Sequence, residues 1–235
     1  MKRVLVVLLS VFVMTSVFAA ENADKKESKW YAKGVFGYHY GNEVYDAGSL
    51  SFYNLEGKGF VSISGFNMNP GIGFAPFTWN GKGHAEKLVF EIDVPFVYGK
   101  YTSKDDESFN VSGEAIRFAP TFTVNCLIAF PDANSSFLQK LGINFGVGLS
   151  ITGFMLNGAE GVVKNTSSAY CGMTFNRENF STDLQMVLHF VINAGLQFDF
   201  TEKFSALIEF KKYLLSRDSD AAPGFSIGAG IKRKF

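Results

Sequence analysis

The sequence predicts an all-β fold: a closed antiparallel transmembrane β-barrel of about eight strands, joined as an up-and-down meander. Three observations carry this reading. Eight segments alternate apolar and polar side chains with period two, the spacing at which every second residue shares a face of a strand. The apolar set is bulky and rich in Phe, whereas the opposite set is small or polar. Composition agrees, because apolar residues make up 47% of the chain while mean hydropathy is only +0.09. Alternation gives that combination; continuous apolar spans do not.

The first element is an export signal. Lys2 and Arg3 precede a mostly apolar run from Val4 to Phe18, and small residues follow at Ala19 and Ala20. The run is too short for a membrane-spanning helix and has the flanks of a secretory signal peptide. Cleavage is expected after Ala19 or Ala20, and no Cys stands there to carry a lipid. Three regions follow: a signal peptide over 1–20, a charged periplasmic lead-in over 21–29, and the barrel over 30–235. The mature chain carries a net charge near −2, since the signal holds two cations and no acids. Nothing in it suggests nucleic acid, a cofactor or a metal.

The strands then run in order. The first spans Trp30 to Tyr40, the second Gly65 to Trp79, the third Lys87 to Tyr98 and the fourth Ala115 to Phe130. The fifth spans Ile143 to Met155, the sixth Leu184 to Phe200, the seventh Phe204 to Leu214 and the eighth Gly224 to Phe235. A tilted strand crosses a bilayer in about 9–11 residues, which these lengths satisfy. Ten strands fit as well if the first or third outer loop holds an extra hairpin.

An eight-stranded barrel has an interior barely wide enough for its own side chains. The bulky set must therefore face outward, for example Phe36, Phe90, Phe122, Phe145, Leu188 and Ile208. Small and polar residues must face inward. Apolar outside and polar inside is the membrane arrangement, not that of a soluble lipocalin-like barrel. The links agree: Asn80 to Glu86 and Thr201 to Lys203 are short, whereas Gly41 to Ser64 and Leu156 to Asp183 are long. Short turns mark the periplasmic end of such barrels and long loops the outer end. Pro131 to Gly142 is the long exception, and its SSFLQKLG run suits a short helical turn. Aromatic residues gather near both ends of the outward stripes, with Trp30, Phe200 and Phe204 at one and Tyr38, Tyr40 and Tyr98 at the other. They form the expected interfacial girdles.

The inward set includes Lys33, Glu91, Asp93, Arg117, His189, Glu209, Lys211 and Lys232. Buried ions need partners, so Glu91, Asp93 and Glu209 are expected to neutralise Lys33, Arg117, Lys211 and Lys232 and to plug the lumen. A nucleophile with a base and its orienter is not legible around His39, His84 or His189, so no catalytic site is expected. Cys126 and Cys171 are placed at opposite ends and read as free thiols. Pro70, Pro76, Pro95 and Pro120 fall within the second to fourth strands, where each removes a ladder bond and favours a bulge or edge.

The final strand carries a family signature. Phe225, Ile227, Ala229, Ile231 and Phe235 stand at alternate positions up to a terminal Phe. This resembles the last strand of bacterial outer-membrane proteins, although Arg233 stands where an apolar residue is usual. Over residues 30–235 the chain resembles the small barrels of the OmpA transmembrane domain, OmpX, OmpW and opacity types. The resemblance implies an outer-membrane location in a diderm bacterium, contact with outer-membrane lipid, and a last strand read by the barrel-assembly machinery. It leaves three roles open: a surface-exposed scaffold that meets an extracellular ligand through its loops, a narrow conduit or lateral gate for small apolar molecules, and a lipid-modifying enzyme. Deleting Phe235 should impair assembly, seen as loss of the heat-modifiable band on gels. Normal yield of folded, truncated protein would remove the assembly role of the C-terminus. Protease added to intact cells should cut within Gly41 to Ser64 or Leu156 to Asp183 and spare Pro131 to Gly142.

Overall fold

The computed structural model describes residues 29–46, 58–81, 83–103, 109–163, 172, 174–181, 184–215 and 224–235. The expected signal peptide, residues 21–28 of the lead-in, and Cys171 lie outside the described residues. The elements are β1 (Trp30–Asp46), β2 (Lys58–Asn80), β3 (Ala85–Asp93), β4 (Phe96–Ser103), β5 (Phe109–Phe118) and β6 (Thr121–Ala129). After these come α1 (Ser136–Gln139), β7 (Leu141–Val163), β8 (Thr174–Ser181), β9 (Gln185–Asp199), β10 (Phe204–Leu215) and β11 (Gly224–Lys234).

All pairings are antiparallel, and they close a ring of eight wall positions. β1 pairs with β2, and β2 pairs with β3 low on the wall and β4 higher up. β3 continues to β6 and β4 to β5; both of these pair with β7. β7 then leads through β9 and β10 to β11, which returns to β1. Closure leaves no free edge across the membrane band. The third outer link lengthens β7 and lays β8 beside it, so it extends existing wall positions and the count stays at eight. The SSFLQKLG run does hold a helical turn, α1, whose Phe137 packs on Phe198 at 5.4 Å between ring centroids.

The faces follow parity throughout. Phe66 is 56% exposed, Val147 64% and Ile231 57%, whereas Lys33 is 3% exposed and Asp93 and Arg117 0%. Bulky apolar groups thus lie outside and charges inside, which only a lipid surround makes favourable. Cross-strand aromatic pairs brace the outer face: Phe36 with Phe66, Phe90 with Phe122, and Phe210 with Phe225. At the closing seam the Phe235 amide donates to the Trp30 carbonyl at 3.1 Å. Arg233 points outward, its guanidinium 5.2 Å from the Phe235 ring centroid and 5.9 Å from that of Phe204. Ring faces accept such a cation, which accounts for its place in the apolar stripe.

The prolines give the main departure from the expected strands. The third and fourth each break in two, at Val94-Pro95 and at Ala119-Pro120. Pro76 sits at a bulge, where the β2–β3 register shifts between Phe74 and Phe77. Pro70, expected at a bulge or edge, instead lies within the regular β1–β2 ladder opposite Gly34. Pro70, Pro95 and Pro120 share one row of the wall. The Val94 amide donates to Pro70, that of Ala119 to Pro95 and that of Ile151 to Pro120, at 2.9–3.0 Å. A hydrogen-bonded antiparallel pair exchanges two such bonds. Proline has no N–H, so the return bond is lost at three consecutive strand interfaces. Inside the barrel the Ala119 carbonyl is served differently: the Thr121 hydroxyl donates to it at 2.6 Å and the Ser150 hydroxyl lies 3.4 Å away. Thr121→Val should therefore cost about 0.5–1.5 kcal/mol, the net worth of one hydrogen bond, with the Ser150 hydroxyl left on the carbonyl. In a Pro95→Ala background the new amide supplies the donor and the cost should shrink. Equal losses in the two backgrounds, measured by urea unfolding in lipid vesicles, would refute this account of the seam.

Candidate functional site

Register brings Lys33, Gly71 and Asp93 into one row across β1, β2 and β3. On that row sits a dense ionic cluster. Lys33 contacts Glu91 and Glu209, and its Nζ is 3.1 Å from Asp93 Oδ1. Lys211 contacts Asp93 and lies 3.3 Å from Glu209. The Tyr31 hydroxyl donates to Glu91, and the Asn69 amide donates to Glu209 at 2.8 Å. Glycine provides the space. A Cβ on Gly71 would meet Asp93 Oδ1 at 2.1 Å, and one on Gly73 would meet the Tyr31 ring at 2.0 Å.

Glu91, Asp93 and Glu209 bring carboxylate oxygens within 4.8 Å of one another, which is metal-site spacing. The Lys33 and Lys211 ammonium groups supply the positive charge among these acids. The arrangement is an ionic plug in which two ammonium groups bind three carboxylates. Its four wall elements, β1, β2, β3 and β10, are tied together through the lumen.

Two of the expected cations lie elsewhere, which corrects the four-cation pairing. Arg117 is two inward positions further out, where its Nη2 donates to Thr152 at 3.1 Å and its guanidinium lies 4.5 Å from the Tyr213 ring centroid. Lys232 stands beside Lys33 across the β1–β11 seam, but its side chain turns away, donating to Gln197 at 2.8 Å with its Nζ 3.7 Å from the Tyr31 ring centroid. Glu91 already accepts from Lys33 and Tyr31.

The inward tyrosines are functional positions that the sequence reading passed over. Tyr31 and Tyr213 share parity with Lys33 and Lys211, and that parity was the available signal. His39 and His189 are buried as expected and flank Tyr213 edge-on, at 5.7 and 6.2 Å between ring centroids. The ladder also sets Ser150 opposite His189. The Ser150 hydroxyl, however, is turned to Thr121, 3.0 Å away. Beyond this layer the outer half of the lumen is apolar, packed with Val61, Ile63, Val97, Tyr101, Val111, Ala115, Phe154 and Leu156. The interior is thus closed at three levels: ionic, aromatic and apolar.

A closed eight-stranded wall, a lipid-facing apolar exterior and a filled polar lumen define the class, an outer-membrane β-barrel. No family model and no curated protein matches the chain. Solved structures that resemble it include Neisserial surface protein A, at 9% identity over 90% of this chain and 100% of that one, with a TM-score of 0.40. The outer membrane protein OprG from Pseudomonas aeruginosa aligns at 9% identity over 89% and 97%, with a TM-score of 0.40. Ail, the attachment invasion locus protein of Yersinia pestis, aligns at 11% identity over 89% and 100%, with a TM-score of 0.38.

The cluster predicts a specific stability pattern. Glu91→Gln combined with Asp93→Asn leaves Lys33 and Lys211 buried with Glu209 as their one remaining acid in the cluster, and breaking such a network on one side costs about 3–5 kcal/mol. Ile92→Val, between them on the lipid face, should change stability by under about 1 kcal/mol. Similar unfolding midpoints for both variants would mean that water screens the lumen.

Proposed function

We propose that this barrel is a non-catalytic surface scaffold that meets an extracellular ligand through its outer loops and the β-structure supporting them. The carrying observation is the filled lumen beneath a wall that outgrows the membrane. Tyr98, Ile116 and Met155 share one row at the outer girdle. From there β7 runs on to Val163, paired with β5 as far as Phe109 and with β8 on its other side. Loops on a rigid scaffold are where binding concentrates. Among the described residues, the ionic plug and the apolar packing above it fill the space that an axial path would need, which supports this reading. Assembly through the barrel-assembly machinery fits the alternating Phe225, Ile227, Ala229, Ile231 and Phe235, which form the exterior of β11.

A second reading, a lateral route for small apolar molecules, draws on the row of Pro70, Pro95 and Pro120. The missing return bonds weaken three adjacent interfaces beside the apolar outer lumen. Planar-bilayer recording separates the two. The scaffold should show no sustained current, and exchanging the 47–57 and 164–171 segments for those of an unrelated barrel should abolish binding to host-cell surfaces while leaving the fold intact. Steady ion-selective conductance, or binding indifferent to the loop exchange, would displace the scaffold reading.

A further inference from the structure

The end of the barrel with the short turns opens into a funnel. Its walls come from β1, β2, β3, β6, β7, β9 and β11, with the residues after α1 at its lip. Its cavity volume is about 90 Å³. Five lysines line it, namely Lys29, Lys87, Lys140, Lys232 and Lys234, against a single acid, Asp199.

That acid is fully engaged. Asp199 accepts from Lys234 at 2.6 Å, from Gln197 at 2.6 Å and from the Ser205 hydroxyl. The other four ammonium groups have no carboxylate within 4.0 Å among the described residues. Lys29 donates only to the Pro76 carbonyl, at 3.0 Å. Lys232 is the deepest and is only 8% exposed. Its contacts, the Gln197 amide oxygen and the Tyr31 ring, are neutral. A buried ammonium held by neutral groups alone is costly. A cleft lined by one sign of charge within low-dielectric walls focuses its field and concentrates counter-ions.

We propose that this periplasmic mouth is a binding site for a multivalent oxyanion, phosphate or carboxylate, seated over Lys232 and clamped by Lys87 and Lys140. The ligand arrives as a soluble periplasmic anion or as the headgroup of an inner-leaflet lipid; the chemistry recognised is the same. This role is independent of the outer loops, so it stands or falls separately from the scaffold reading.

The test is calorimetric titration of the folded mature chain, in zwitterionic detergent, with tripolyphosphate. Saturable binding is expected, and it should weaken as sodium chloride rises, since screening cuts such attraction. Lys87→Gln with Lys140→Gln should weaken it about tenfold or more, a loss read directly in Kd, while the melting curve stays unchanged. Lys232→Met should weaken it as well. Lys100→Gln with Lys212→Gln, on the outward face of the wall, should leave it unaltered. Repeating the titration in nanodiscs assigns the source. Competition by phosphatidylglycerol relative to phosphatidylcholine identifies a lipid headgroup, and its absence identifies a soluble anion. No saturable binding, or the same Kd in the wild type and the Lys87/Lys140 variant, would overturn the proposal.

Discussion

Lys33 reaches carboxylates on β3 and on β10, so positions as far apart in sequence as Lys33 and Glu209 meet at one nitrogen. Much of the interior is arranged around that meeting. Gly71 and Gly73 are bare so that Asp93 and Tyr31 can approach. Asn69 and Tyr31 use their polar ends to complete the acids' hydrogen bonds. An eight-stranded wall gives side chains little room, so each inward position is either a partner in the network or a space for one. A charge in this interior is favourable only as part of that whole, because an isolated buried ion keeps its desolvation cost without the compensating attraction.

The outward and inward faces are linked through strand register. A one-residue slip would carry every Phe inward and every charge into lipid. The exterior therefore holds the ionic cluster in place as firmly as the cluster holds the wall. The proline row shows how much irregularity the arrangement accommodates. Three neighbouring strands each forgo a ladder bond at the same level, yet parity is unbroken from Val89 to Tyr101 and from Val111 to Leu127. Thr121 supplies from the lumen one of the donors that the backbone lacks.

Parity was what made the barrel legible in the sequence. Alternation alone assigns Glu91, Asp93, Arg117, His189 and Lys211 to the lumen, and the Phe stripes to lipid. Pairing across the lumen was not legible, because it depends on the stagger of the closed sheet, which no local pattern records. Alternation therefore records neither the distance of Arg117 from the acidic row nor the turn of the Lys232 side chain toward Gln197, nor the Ser150–His189 juxtaposition. Inward Tyr31 and Tyr213 were hidden for another reason: an aromatic residue in a membrane strand reads first as a lipid-facing one. The outer ends of β1, β2 and β7 were read as loop because the polar and small residues there no longer alternate with bulky ones above the membrane.

The seam between β1 and β11 sets Lys33 directly beside Lys232. Like charges facing each other across a ladder repel, so the two edges that must meet last carry a mutual objection to meeting. Glu91 and Glu209 lift it, and both belong to strands other than the two being joined. The closed seam thus depends on acids that lie on neither of its two strands.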